Sequence, residues 1–174
     1  GTYLPNATYL ETDSSGNVYI TGTTYLAELF GGEDAFDNNF IYQYTGSTFQ
    51  PNAYILKLNP EGELQWSSYY GITQISSIAI KNNELYVTGR STNSNNYYAT
   101  EGAFLTGLNS GMYLSKFNTA GQRVWSTYYG SGVSTESIWS VKVTPNNKVL
   151  ISGFTTSNIN IATPGTFREN KLGT

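Results

Sequence analysis

The chain has 174 residues and a net charge of −3, with 9 Lys and Arg residues against 12 Asp and Glu residues. It contains no cysteine and no histidine, which excludes disulfides, thiolate metal sites, cysteine nucleophiles and Ser-His-Asp triads. Charged residues make up only 12% of the chain and Lys and Arg form no run, so nucleic acid and membrane surfaces are not expected partners.

Taken in chain order, the sequence predicts three units of short β-strands. Residues 1–4 (GTYL) match the end of a fourth strand and are assigned to a preceding unit. The first unit, 5–71, contains the turn DSSG and the strands VYITG, AYILKLN and LQWSSYY. The second, 72–130, contains ISSIAI, LYVTG, MYLSKFN and RVWSTYY, and the third, 131–174, contains SIWSVKV and VLISG. Alternating apolar residues and frequent β-branched or aromatic residues indicate strands throughout.

Three landmarks recur in the same order and show that the units are repeats. Each second strand ends at a glycine, and these glycines are about 65 residues apart. An Ala/Gly-x-Phe landmark follows each glycine, and a Trp-Ser-x-Tyr-Tyr-Gly segment closes the first two units. We interpret the following as structural repeat positions: Gly22, Gly89, Gly153, Phe36, Phe104, Phe167, Trp66 and Trp125.

Four antiparallel strands in each of several head-to-tail units predict an all-β chain with the blades of a β-propeller. The chain would hold about two and a half blades, whereas propellers typically close with four to eight. We therefore expect either a portion of a longer propeller, beginning abruptly without Met, or closure by self-assembly. A β-sandwich is the alternative architecture, but it does not predict repeating landmarks.

Several segments resemble the bacterial SBBP-type β-propeller repeat, namely GNVYITG, YLSKFNTAGQRVWSTYYG and NIATPGTF. The resemblance runs along essentially the whole chain. The chain departs from this pattern in two places. The Asp that the pattern has in the turn before the second strand is present only in the first unit, as Asp13, and the first unit carries the insertion DNNFIYQYTGSTFQPN. The resemblance implies an exported scaffold that forms a propeller, and it implies no particular catalysis.

Most candidate residues have a structural interpretation. Trp66 and Trp125 are expected to pack between neighbouring units, because every unit must bury the same face, and Trp139 is expected in the core. Lys57 and Lys116 occupy equivalent positions and point either into a central channel or to solvent. The Asp13 turn supplies too few oxygen ligands for a calcium loop, and we expect no metal and no cofactor.

The acidic residues of the first loop raise the possibility of glycoside chemistry. Glu33, Asp34 and Asp37 form the only acidic cluster, and the second unit has Glu101 at the matching position. Paired carboxylates hydrolyse glycosides when one is protonated and the other ionised. Nothing in the sequence shows that these carboxylates face one another, so an enzyme ranks last among the hypotheses.

The loops around the Phe landmarks are the expected contact surfaces, because binding residues concentrate on loops of rigid scaffolds. Tyrosine rings stack on partners, and asparagine amides both donate and accept hydrogen bonds. The first hypothesis is a non-enzymatic scaffold on a bacterial cell surface or outside the cell, which binds a protein partner or the rest of its own propeller. The second is a carbohydrate-binding propeller. The candidate contact residues are Tyr42, Tyr44, Asn95, Asn96, Tyr97 and Tyr98.

Overall fold

The computed structural model describes residues 5–27, 36–91, 97–106, 108, 111–132, 135–159 and 161–170. Over these ranges the chain is all-β, and no helix is long and apolar enough to span a membrane. The described strands are β1 (Asn6–Thr12), β2 (Val18–Thr24), β3 (Tyr44–Thr45), β4 (Thr48–Phe49), β5 (Asn52–Leu58), β6 (Leu64–Tyr69), β7 (Thr73–Lys81), β8 (Glu84–Ser91), β9 (Gly111–Phe117), β10 (Arg123–Tyr129), β11 (Ser137–Val143) and β12 (Val149–Phe154).

The strands form antiparallel sheets that follow the sequence repeat. The first sheet has the order β1-β2-β5-β6, and the second has the order β7-β8-β9-β10. The third sheet consists of β11 and β12, which pair like the first two strands of the other sheets. The hairpin β3–β4 lies within the insertion of the first unit. The predicted all-β class and its antiparallel pairing are therefore confirmed.

The three aligned glycines are explained by a β-bulge that recurs in each unit. The pairing of the first and second strands shifts register beside each glycine, as expected for an extra residue in the first strand. A Cβ atom on Gly89 would lie 2.1 Å from the carbonyl oxygen of Gln74, and the matching distance is 1.8 Å at Gly22 and 2.0 Å at Gly153. The repeated glycine is thus a steric requirement of the bulge.

The turns of the outer hairpins, β5–β6 and β9–β10, share one side-chain cap. The Oδ1 atom of Asn59 accepts a hydrogen bond from the Glu63 amide at 2.8 Å. The Oδ1 atom of Asn118 accepts the equivalent bond from the Gln122 amide at 3.0 Å. The glycines of these two turns have positive φ, with 85° at Gly62 and 80° at Gly121.

The sheets stack on one another in chain order. The main core lies between the first and second sheets, and a smaller cluster lies between the second and third. The first strands of the three sheets, β1, β7 and β11, are spatial neighbours. Their turns also touch, since Ser14 Oγ donates to Asn83 Oδ1 at 3.4 Å and Asn82 Nδ2 donates to Asn147 Oδ1 at 3.1 Å.

The tryptophans at matching positions lie at these two interfaces. Trp66 is only 8% exposed, and its indole N–H donates to the carbonyl oxygen of Thr119 at 3.0 Å. Its ring covers the next unit's turn, where a Cβ atom on Gly121 would lie 2.7 Å from the ring. Trp125 is half-buried and packs with the cluster between the second and third sheets.

Trp139 does not belong to the core, so this expectation was wrong. Its side chain is 62% exposed and contacts the Phe154 ring at 5.4 Å between centroids. The pairing of β11 with β12 shifts register between Ile138 and Ser140, so Trp139 is the extra residue of the bulge. The bulge interrupts the alternation of inward and outward side chains, and Ile138 takes the buried position instead.

The Phe landmarks have three different environments. Phe36 is partly buried and packs against the main core. Phe104 is 67% exposed and Phe167 is fully exposed. The phenylalanines at this shared repeat position therefore differ in burial within the described chain.

Candidate functional site

The six predicted contact residues fall into three groups. Tyr42 and Tyr44 are 70% and 65% exposed and lie on the insertion of the first unit. Tyr97 and Tyr98 are packed against the protein, with Tyr98 fully buried. Asn95 and Asn96 lie outside the described residues, as do Glu33 and Asp34 of the acidic cluster. Among the candidates that the structure describes, Tyr42 and Tyr44 are exposed enough to contact a partner.

Tyr98 is a core residue, which corrects its prediction as a contact residue. Its hydroxyl donates to the carbonyl oxygen of Tyr70 at 2.7 Å, and its ring stacks on Tyr113 at 4.4 Å between centroids. Burial raises the pKa of Tyr98 well above its usual value, so the hydroxyl keeps its proton and remains a donor. Tyr98 lies in the main core between the first and second sheets, where Tyr70 and Tyr113 bury its ring.

Tyr97 joins the two units through Asp37. Its hydroxyl donates to the Asp37 carboxylate at 2.5 Å, and the Arg123 guanidinium donates to its carbonyl oxygen at 2.6 Å. Burial, followed by the hydrogen bond to Asp37, raises the pKa of Tyr97. The second oxygen of Asp37 accepts the amide of Asn39 at 2.8 Å. Both oxygens of Asp37 therefore accept structural hydrogen bonds. Glu101, the acidic residue at the matching position of the second unit, lies on an exposed loop.

The insertion of the first unit is fixed to the sheet by one buried amide. Asn52 is fully buried at the start of β5. Its Oδ1 atom accepts the Ile41 amide at 2.9 Å, and its Nδ2 atom donates to the Ile41 carbonyl oxygen at 2.9 Å. The Gln50 amide also donates to the Gln43 carbonyl oxygen at 2.9 Å, next to the hairpin β3–β4. These bonds give the insertion a defined position.

We call the four aromatic residues of this insertion, Phe40, Tyr42, Tyr44 and Phe49, the aromatic platform. Phe49 is central, with ring centroids 6.0 Å from Phe40, 6.1 Å from Tyr42 and 5.2 Å from Tyr44. The Tyr42 and Phe49 rings are nearly parallel, at 18°. Phe40 rests on the buried ring of Tyr69 at 5.4 Å, so the platform is anchored on the first sheet.

The aromatic platform is electrically neutral. Residues 38–50 include no charged side chain, and the polar groups among them are amides and hydroxyls. Two exposed tyrosine rings on such a surface can bind a partner by stacking and by hydrogen bonds from the phenols. The arrangement is not suited to recognising a strongly charged ligand.

Lys57 and Lys116 belong to a cross-strand ladder that recurs in both four-stranded sheets. Lys57 lies 5.4 Å from the centroid of the Tyr19 ring, and Lys116 lies 5.7 Å from that of Tyr86. Lys116 also pairs with Glu84 at 2.8 Å, and its hydrogen bond to that carboxylate raises the pKa of the ammonium group. Both lysines therefore pack along the sheets beside the repeated tyrosines.

Asp13 caps the β1–β2 turn. Its carboxylate accepts hydrogen bonds from the Ser15 amide at 2.9 Å, the Asn17 amide at 3.0 Å and Asn17 Nδ2 at 2.8 Å. Burial raises the pKa of this carboxyl, but these hydrogen bonds outweigh burial, and the pKa lies below its usual value. Both carboxylate oxygens therefore accept hydrogen bonds from residues of the turn.

Glu136 is a buried carboxylate that the sequence analysis missed. It is 1% exposed and accepts hydrogen bonds from the Ser131 amide at 2.9 Å, the Gly132 amide at 3.1 Å and Thr155 Oγ1 at 2.8 Å. It thereby ties Ser131, Gly132 and Thr155 to the residue that precedes β11. The other units have a proline or threonine at this position, Pro5 and Thr73, so the repeat offers no signal for it.

No protein-family model matches the chain, and no curated protein matches it significantly. Among the described residues, the aromatic platform is a distinctive exposed feature, anchored on the first of the stacked sheets.

Proposed function

We propose that the chain forms blades of an SBBP-type β-propeller and serves as a non-enzymatic scaffold on an exported bacterial surface protein. The order of strands within each four-stranded sheet supports this proposal, as does the contact between the first strands of successive sheets. The repeated Tyr–Lys ladder and the buried Trp66 support a rigid stack. The scaffold holds its loops in fixed positions toward a protein partner.

The aromatic platform is the observation that carries the proposed interaction. Its two exposed tyrosines offer large apolar surface with polar tips, and exposed aromatic residues of this kind dominate the binding energy of many protein interfaces. The anchor at Asn52 limits the conformational entropy that binding would cost. The platform therefore fits a protein partner with a neutral contact surface.

Site-specific photo-crosslinking tests the proposed interaction. A photoreactive phenylalanine analogue at position 42 or 44, in cells that make the full protein, is expected to cross-link to one predominant protein. Position 64 is the control, because Leu64 is also exposed, at 57%, but belongs to β6. Once that protein is purified, the double change Tyr42→Ala and Tyr44→Ala should weaken its binding by roughly 30-fold or more.

The same experiment can reject the proposal. Cross-linking that is equally strong at position 64 would show that the platform has no special role. Unchanged affinity in the double variant, with an unchanged circular dichroism spectrum, would have the same meaning.

The uncharged platform with its two exposed tyrosines also favours a second candidate function, carbohydrate binding. Aromatic rings stack on the apolar faces of sugars, and two exposed tyrosines with neighbouring amides offer both stacking and hydrogen bonds. A glycan array is expected to show binding that the double change Tyr42→Ala and Tyr44→Ala removes. If no glycan binds, the lectin hypothesis is wrong and the protein-scaffold proposal stands.

A further inference from the structure

Matched positions show that the second sheet is less well covered than the first. Trp66 is 8% exposed, whereas its counterpart Trp125 is only half-buried. Ile55 is fully buried, whereas its counterpart Leu114 is half-buried. The sequence at these positions is nearly the same in both units, so the difference lies in what packs on top.

The hairpin β9–β10 is the element that covers the first sheet. Its turn supplies Thr119 as the acceptor for the Trp66 indole. Its strands also cover Phe36, whose ring lies 5.8 Å from Phe117 and 4.5 Å from the Arg123 guanidinium. Phe104, the counterpart of Phe36 in the second unit, is 67% exposed. The second sheet thus has the residues that such a hairpin covers, but no described residue forms that hairpin.

An open groove and a strand edge lie where that hairpin would sit. The groove has a volume of about 530 Å³ and is lined by Leu114, Tyr129, Val149, Ile151 and residues 161–164. Within the described ranges, β12 pairs only with β11. Its counterparts β2 and β8 both pair with a third strand. An unpaired strand edge beside an apolar groove is suited to binding an added strand.

Building on the proposed propeller, we propose that β12 and this groove bind a β-hairpin with the chemistry of the repeat's third and fourth strands, contributed by a polypeptide segment other than the two hairpins β5–β6 and β9–β10. The two complete sheets define the register of this hairpin. Tyr54 pairs with Gly22 and Tyr113 pairs with Gly89, and each tyrosine ring lies over its glycine. A tyrosine of the incoming strand therefore pairs with Gly153.

The same register places the rest of the hairpin. Lys57 pairs with Tyr19 and Lys116 pairs with Tyr86, so a lysine of the incoming strand pairs with Leu150. The turn of the hairpin then reaches Trp125, as the Thr119–Gly121 turn reaches Trp66. The preferred occupant is a Tyr-x-x-Lys-x-Asn strand followed by a turn with glycine and a second strand.

A second copy of the chain is a less suitable occupant. Both hairpins of this kind in the described chain, β5–β6 and β9–β10, are already paired, because β5 pairs with β2 and β9 pairs with β8. A second copy would have to release one of them, which would expose its own core. The occupant is therefore a hairpin that is not already paired.

A peptide with the sequence of residues 111–130 is the probe for this site. Titrated into the chain and followed by calorimetry, it is expected to bind once per chain, whereas a scrambled peptide does not bind. Hydrogen exchange should slow at β12 amides when it binds. A peptide carrying Tyr113→Ala should bind about tenfold more weakly, because it loses the aromatic contact over Gly153.

Variants of the chain locate the binding. Ile151→Lys places a charge in the groove and should abolish binding, whereas Leu64→Lys, at an exposed position of β6, should leave binding unchanged. Circular dichroism checks that Ile151→Lys is folded; if it is not, the Tyr113→Ala peptide decides the question. The double change Tyr42→Ala and Tyr44→Ala should leave hairpin binding unchanged, so this proposal can fail or succeed independently of the platform.

Three outcomes would overturn the proposal. The first is absence of binding by the peptide. The second is binding that neither Tyr113→Ala in the peptide nor a folded Ile151→Lys variant weakens. The third is a dimer, measured by light scattering without peptide, that Ile151→Lys dissociates, because a second copy would then occupy the groove.

Discussion

Replacing Gly89 by alanine is expected to lower the free energy of unfolding by about 3 kcal/mol or more. The added Cβ would lie 2.1 Å from the Gln74 carbonyl oxygen and 2.6 Å from the Tyr113 hydroxyl oxygen. The first contact is with backbone, which cannot move aside without breaking the pairing of β7 with β8. Both strands belong to the central sheet of the stack, so the disturbance reaches both interfaces.

Gly102→Ala is the control for Gly89→Ala. Gly102 has a φ of 73°, and nothing lies within 4 Å of an added Cβ, so its replacement costs only backbone strain, about 1 kcal/mol. Urea denaturation of the two variants measures the difference. Equal destabilisation would show that the bulge does not bring β7 as close to Gly89 as described.

Trp66→Ala is expected to lower the free energy of unfolding by about 4 kcal/mol, and Trp125→Ala by about half as much. The first change removes a ring that is 8% exposed, and it leaves the Thr119 carbonyl oxygen with only the longer hydrogen bond from Lys57 Nζ, at 3.4 Å. Trp125 is half-buried, so its removal exposes less new surface. Thermal or urea denaturation of both variants tests this order.

Two turn glycines provide a matched check on the Trp66 contact. Gly62 and Gly121 have similar positive φ values, but only Gly121 faces a ring: its Cβ would lie 2.7 Å from Trp66, whereas nothing lies near Gly62. Gly121→Ala should therefore destabilise the chain more than Gly62→Ala, by about 1 kcal/mol or more. If Trp125→Ala proves as costly as Trp66→Ala, or the two glycine changes cost the same, the first interface is not packed as described.

The strands were predictable because their signals are local. Alternating side chains, turn glycines and repeated landmarks all lie within a few residues of one another. The sequence showed that Gly22, Gly89 and Gly153 recur, but it did not show why. Their φ values are not positive, and the cause is a carbonyl oxygen on the neighbouring strand. That contact depends on the bulge, which leaves no simple pattern in the sequence.

The contact residues were harder to predict because burial of loops depends on distant parts of the chain. Tyr97 and Tyr98 follow a run of polar residues and resemble exposed loop residues. Their hydroxyls nevertheless reach Asp37 and Tyr70, which belong to the first unit. Tyr42 lies in the more apolar segment FIYQY and is nevertheless exposed. Local composition does not distinguish the two cases.

The position of a residue in the sequence repeat also did not suffice to predict whether its side chain is buried. Phe36 and Phe104 occupy the same place in their units, yet one packs in the core and the other is exposed. The difference arises because β9–β10 covers Phe36. Trp139 shows a second limit, since the bulge in β11 turns it away from the core that the strand pattern predicted.

The central claim is that successive sheets stack with the β9–β10 turn closed over Trp66. A nuclear Overhauser spectrum of the labelled chain tests it most directly, through the indole N–H proton of Trp66. The structure predicts cross-peaks from this proton to Thr119 and Gly121, together with slow exchange of the indole proton with water. Absence of these cross-peaks, with the Trp66 indole exchanging as fast as that of the exposed Trp139, would contradict the stacked arrangement.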